Sequence, residues 1–262
     1  MITFNKLGRY GLFGNQLFQY ATLYSIAKTR GYEFGVPYLN TGNIEFQNFF
    51  LPNCFNNLSA KDSSNIVPVH SAMERNFSYN AGIFGIPDNT DICGYFQSEK
   101  YFIDYREQLL REFEFKPEIK QQADYIRAVA KCPAISLHMR FGDYVSQPQN
   151  YPPCNIDYYN EALSMLPENG LIFVFSDDIE KAQTLLKDLK RPIIYPDTKN
   201  KYIDMCVMTI CNYHILANSS FSWWGAWLSN SKKVIAPSRW FGSAPNMPKN
   251  WSDIYCKNWI VI

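Results

Sequence analysis

Ala134-Ile135-Ser136-Leu137-His138 reads as a buried β-strand, and His138-Met139-Arg140-Phe141-Gly142-Asp143-Tyr144 carries polar groups directly off its end. Working outward, Leu171-Ile172-Phe173-Val174-Phe175 is a second apolar run of strand length, and 192–195, 213–217 and 233–236 are three shorter ones. Helical patterns fall between them, over 157–166, 178–189, 202–211 and 221–228. Strands alternating with helices at this spacing indicate βαβ units and a mostly parallel sheet. Such a sheet presents ligands at the carboxyl ends of its strands. The expected fold class is therefore α/β.

The N-terminal half is less regular. A short first strand is expected over 2–4, and a helix over 15–30, closed by Gly31. Further helices are expected over 99–113 and 117–131, the second with Pro117 at its first position. Cys132-Pro133 ends that helical stretch and marks the expected lobe boundary, 1–131 against 132–240, with the tail 241–262 able to rejoin the first lobe. The stretch 40–90, rich in Asn, Ser, Pro and Phe, has no period to which an element can be assigned.

The 262 residues are enough for two lobes with cores of their own, and 47% apolar with 19% charged residues is the balance of a folded protein. A net charge of +1 gives no electrostatic reason to expect nucleic acid, and at most peripheral contact with a membrane. Seven cysteines, with no C-x-x-C pair, fit reduced thiols better than a disulfide framework or a zinc site. The N-terminus lacks a basic region leading into an apolar stretch, and no run of about eighteen apolar residues occurs. A cytoplasmic location is expected.

Three segments carry candidate chemistry at strand ends. Arg140 would sit at the ligand edge of the sheet, where its planar fork can hold two phosphate oxygens; an ion pair with Asp143 beside a turn is the alternative. Gly142 would let the backbone turn there without a Cβ clash. Asp177 and Asp178, after the 171–175 strand, could accept hydrogen bonds from a base or ribose, or could cap the next helix. Asn218-Ser219-Ser220 leads from a strand into Phe221-Ser222-Trp223-Trp224-Gly225-Ala226-Trp227. Backbone N–H groups at that helix start, with the serine hydroxyls, make a site for phosphate oxygens, while the tryptophans belong to the core. No Asp-x-Asp pair offers a metal site. Upstream, Gly8-Arg9-Tyr10-Gly11-Leu12-Phe13-Gly14-Asn15-Gln16 matches neither a dinucleotide fingerprint nor a P-loop. It reads as a close-approach loop or as a capped helix start. Together these loops point to a nucleotide-type ligand and do not name a sugar.

At the same residues the chain resembles the α-1,2-fucosyltransferases of glycosyltransferase family 11. The matching pieces are Gly11 to Ala21, His138 to Tyr144, Phe173 to Asp178 and Ile215 to Leu228, in the family's order. The resemblance implies a GT-B-like fold, two Rossmann-like lobes with parallel sheets facing a cleft, the first shaping the acceptor site and the second holding GDP-fucose. It implies inverting, metal-independent transfer of fucose to the 2-hydroxyl of a galactose-containing oligosaccharide, with no cofactor. By this analogy Arg140 contacts the β-phosphate and the departing oxygen, and Gly14 and Asn15 line the site near the reacting sugar. His138 and Asp177 or Asp178 help hold the guanosine, Asn218, Ser219, Ser220 and Phe221 cradle the pyrophosphate, and Asp143 is the nearest carboxylate to serve as base. Phe141 departs from the family, which often has a second arginine there. Protein O-fucosylation, transfer from another GDP-sugar, and non-catalytic binding of a glycan or nucleotide are the competing readings.

Overall fold

The computed structural model describes residues 1–37 and 49–262. The chain divides into one unit of Met1–Lys116 with Asn250–Cys256, and a second of Pro117–Lys249 with Lys257–Ile262.

In the first unit the strands are β1 (Ile2–Thr3), β2 (Phe34–Val36), β3 (Lys61–Asp62), β4 (His70–Met73) and β5 (Thr90–Cys93). They form one parallel sheet in the order β3-β2-β1-β5-β4. Its main helix is α1 (Phe13–Arg30), with short helices α2 (Leu51–Cys54) and α3 (Arg106–Glu112). From Phe13 to Ala27 every residue of α1 except Asn15 is buried, so the helix is enclosed rather than lying on a surface. Gly31 ends it in the left-handed region, φ 68°, and the N–H groups of Gly31 and Tyr32 donate to Lys28 O and Ala27 O. The buried carboxylate of Glu112 binds α3 to α1: it accepts from Tyr20 Oη at 2.6 Å and from Ser59 N at 2.7 Å.

One expectation needs correction here. The stretch 99–113 is not one helix: two 3-10 turns at Glu99–Tyr101 and Ile103–Tyr105 precede α3, with Tyr101 and Phe102 turned into the core. Within the unassigned stretch 40–90, residues 40–48 lie outside the described residues, and the remainder supplies α2, β3 and β4.

The second unit contains α4 (Pro117–Arg127), β6 (Ala134–Met139), α5 (Gly142–Ser146), α6 (Ile156–Ser164), β7 (Leu171–Ser176), α7 (Ile179–Leu185) and β8 (Ile193–Ile194). The chain continues through α8 (Lys201–Thr209), β9 (Tyr213–Ile215), α9 (Ser220–Trp227), β10 (Lys233–Ala236) and β11 (Ile260–Val261). All six strands are parallel, in the order β11-β10-β9-β6-β7-β8. Read in chain order this is 3-2-1-4-5-6 from the β8 edge, the Rossmann arrangement. Strand β6 is buried along its whole length, and the period of two decides which face each side chain joins. Ile135, Leu137 and Met139 of β6 join Ile172, Val174, Ile215 and Ile235, and Tyr159, Ala162 and Leu163 of α6 pack over them. Each such aliphatic side chain contributes about 1.5–3 kcal/mol by leaving water. Trp223 and Trp224 of α9 are fully buried, and Trp259 packs on Trp223 at 5.4 Å, so the tryptophans are core as expected.

The division between units falls at 116/117 rather than at 131/132. Helix α4 packs on α8, and Arg127 fastens it by donating to Ile210 O and Asn212 Oδ1. The tail also splits: Asn250–Cys256 joins the first unit and Lys257–Ile262 the second, where β11 extends the sheet. All seven cysteines are free thiols. Among the described residues no helix is long and apolar enough to cross a membrane.

Candidate active site

In the second sheet the chain starts at β6, runs outward through β7 and β8, then returns to the other side of β6 as β9. The connections leaving β6 and β9 therefore diverge, and a crevice opens at the carboxyl ends of these two strands. His138-Met139-Arg140 ends β6 and Asn218-Ser219-Ser220 follows β9, so the strongest sequence candidates stand on the two sides of this switch point. Tyr144 joins them, its hydroxyl donating to Asn218 O at 2.9 Å.

Arg140 is held by two carboxylates. Its Nη1 lies 2.8 Å from Asp177 Oδ2 and its Nη2 lies 2.6 Å from Asp143 Oδ1. The Asp143 pairing expected as an alternative is thus present, and Asp177 adds a second. Asp177 is doubly used, because its Oδ1 accepts the Phe141 N–H at 2.9 Å. A Cβ on Gly142 would collide with Asp177 Oδ2. A methyl group at Gly142 would push this carboxylate aside, so glycine suits the position through the approach of Asp177 and not through a positive φ. The Tyr144 ring lies 5.4 Å from the guanidinium.

Asp177 and Asp178 have separate tasks. Asp178 caps α7, its Oδ1 accepting from Lys181 N at 2.9 Å, while Asp177 faces Arg140. Lys181, one turn on, places Nζ 5.4 Å from the centre of the Phe141 ring. A cation therefore stands over the position where the family often carries its second arginine.

His138 is buried, and no hydrogen bond reaches its Nδ1. Burial, helped by the Arg140 charge, pushes its pKa down to about 3, so the imidazole is neutral at neutral pH. Its ring packs against Phe221, centroids 5.6 Å apart, and its carbonyl accepts from Tyr159 Oη. Asn218 is likewise buried. Its Nδ2 donates to Pro152 O and Trp240 O, so this side chain binds loops together. Ser219 caps α9, its Oγ accepting from Phe221 N at 3.3 Å, and Ser220, half-buried, opens the helix. Phe221, also half-buried, is the second residue of α9.

Gly14 and Asn15 belong to the first unit, near the start of α1. The α1 N-cap, Leu12, makes no side-chain capping bond. Asn15 Oδ1 instead accepts from Gln97 Nε2 at 2.6 Å, and Gln16 Oε1 from Phe50 N at 2.9 Å. Gly11, φ 75°, lies so close to Asn15 that a Cβ would overlap its amide. The helix start thus has no side-chain cap, and the close approach at Gly11 is to the Asn15 side chain of the same segment. Among the described residues no three His, Cys, Asp or Glu side chains gather as a metal cluster.

The sequence reading did not single out Tyr144 and Lys181 for the site. Tyr144 lies in the His138–Tyr144 segment, but its hydroxyl partner is a main-chain carbonyl 74 residues away, which leaves no sequence signal. Lys181 had one available signal, its place one turn into a helix opened by Asp178.

The model of Glycosyl transferase family 11 matches residues 2–262. An α-1,2-colitosyltransferase of Escherichia coli is 32% identical, with 93% of this chain and 96% of that protein covered. Galactoside 2-α-L-fucosyltransferase SEC1 of Bos taurus is 23% identical over 89% of this chain, which spans 66% of that relative's length. Among solved structures, fucosyltransferase NodZ from Bradyrhizobium superposes with a TM-score of 0.56 at 15% identity, covering 87% of this chain and 93% of that one. This likeness gives the fold: two parallel-sheet α/β units of the GT-B-like kind.

Proposed function

The chain belongs to glycosyl transferase family 11, and from that premise we propose that it transfers L-fucose from GDP-fucose to the 2-hydroxyl of a galactoside, with inversion and without a metal ion. The observation that carries the proposal is the convergence, at the β6/β9 switch point, of Arg140 with the start of α9, joined through Tyr144 and Asn218. Both groups suit a diphosphate: a guanidinium fork on one side, main-chain N–H groups at a helix start on the other. NodZ has been crystallised with GDP.

In this reading charge builds on the diphosphate as the glycosidic bond lengthens, and Arg140 stabilises it at the bridging oxygen. The Ser219 and Ser220 hydroxyls face the remaining phosphate oxygens, with the Phe221 N–H retained by the Ser219 cap. Neutral His138 and the Phe221 ring wall the nucleoside side of the crevice, with Asp178 at its rim. Inversion places the base for the acceptor hydroxyl opposite the departing diphosphate, and Asp143, paired with Arg140 on the diphosphate side, does not take that role in this reading.

A second donor is favoured by a specific observation, the 32% identity to a colitosyltransferase over most of both chains. Rates with GDP-fucose and with a colitosyl nucleotide, on one galactoside acceptor in EDTA, separate the two. The proposal requires the higher kcat/KM with GDP-fucose, and the reverse order transfers the assignment to colitose. In a parallel thermal shift, GDP at a hundred times its dissociation constant adds about 2.7 kcal/mol. Stabilisation by UDP alone, or only with added metal, contradicts the donor assignment.

A further inference from the structure

Arg140 is neutralised twice, and its two carboxylate partners differ in how they are held. Asp177 is about a quarter exposed, and both of its oxygens are engaged, one by Arg140 and one by the Phe141 N–H. Gly142 has no Cβ where that carboxylate lies, so the chain is built around it. The register Met139↔Ser176 fixes the two strand ends that bring Arg140 and Asp177 together. Asp143 is different. It is 53% exposed, lies on the first turn of α5, and its carboxylate pairs with Arg140 Nη2.

Resting on the donor-site reading, we propose that Arg140 works between a fixed carboxylate and an exchangeable one. Asp177 positions the guanidinium through Nη1. Asp143 occupies Nη2, the nitrogen that a donor phosphate oxygen takes over on binding. The exchange replaces one anion by another at the same nitrogen, so Arg140 keeps its orientation throughout. Asp177 is then a positioning residue for the phosphate arginine and not a contact to the nucleoside, and Asp143 competes with the phosphate.

Opposite signs follow for two isosteric changes. Asp143→Asn removes the competitor and should tighten GDP about two- to fivefold, the range of an exposed ion pair, with the gain shrinking as salt is raised. Asp177→Asn loosens the arginine and should weaken GDP about tenfold, since a charge-assisted bond is lost. Gly142→Ala is a second route to the same end, because its methyl displaces the Asp177 carboxylate without removing it. It should weaken GDP by a similar factor, and it stands in if Asp177→Asn fails to fold. Isothermal titration of GDP into each variant, with melting curves as the folding control, reads all three. Asp143→Asn binding no tighter than the unaltered chain overturns the exchange, and Asp177→Asn or Gly142→Ala binding at least as tightly overturns the positioning role. Failure of the unaltered chain to bind GDP at all is a different result, and it overturns the donor-site reading underneath.

Discussion

Arg140 can be replaced without opening the core, because its side chain is about a quarter exposed and its partners are polar. Arg140→Ala should therefore leave the melting temperature near that of the unaltered chain while lowering kcat about 10²–10³-fold, the usual cost of removing a preorganised donor. Steady-state rates beside circular dichroism check this, and a variant that keeps more than half its rate contradicts the assignment. At this scale short-range pairs are legible in the sequence and long-range ones are not. Arg140 and Asp143 are three residues apart and their pairing was legible. Asp177 reaches Arg140 only because β6 and β7 align Met139 with Ser176, which no local pattern encodes. Asn218 has the local pattern of a ligand contact, but its amide is taken up by the carbonyls of Pro152 and Trp240, 66 and 22 residues away.

Helix α9 joins structure and site in one element. Ser219 is its N-cap, whereas Ser220 is the first helical residue. Ser219→Ala should cost about 1 kcal/mol of stability by removing the cap. Ser220→Ala should stay within about 0.5 kcal/mol of the unaltered chain while weakening GDP. Urea titration with GDP calorimetry separates the two hydroxyls. Equal stability losses would show that both serve the helix. Elements were legible where burial imposes a period. The buried run of β6, the largely buried β7 and the enclosed α1 are legible to within two residues. The two-residue strand β3 and the exposed β4 carry too few core contacts to leave one, and 99–113 deceives because apolar spacing does not distinguish 3-10 turns from a continuous helix.

Across the whole molecule, pH acts through buried histidines. Burial holds His138 and His214 down to about 3, from an ordinary value near 6.5. A depressed folded pKa means that the unfolded chain takes up protons first. This stability is present above pH 6.5 and is lost as pH falls toward 3. Asp204 works in the opposite sense. Burial raises it to about 6, so its contribution is present at low pH and is lost as pH rises from about 4 to 6. His214, with no hydrogen bond to either ring nitrogen, isolates the first effect. His214→Leu should stabilise the fold, by about 1–2 kcal/mol more at pH 5 than at pH 8. Parallel denaturation curves at the two pH values would contradict the account. The two-unit organisation was visible in the sequence, but its boundary was not, because the packing of α4 on α8 joins segments more than seventy residues apart. The central claim, fucosyl transfer at the β6/β9 crevice, is tested most directly by NMR of the product formed from GDP-fucose and a galactoside in EDTA. The account requires an α-linked fucosyl group on galactose O2, formed by the unaltered chain and almost absent with Arg140→Ala. Free fucose alone, a different linkage, or transfer that survives Arg140→Ala would contradict it.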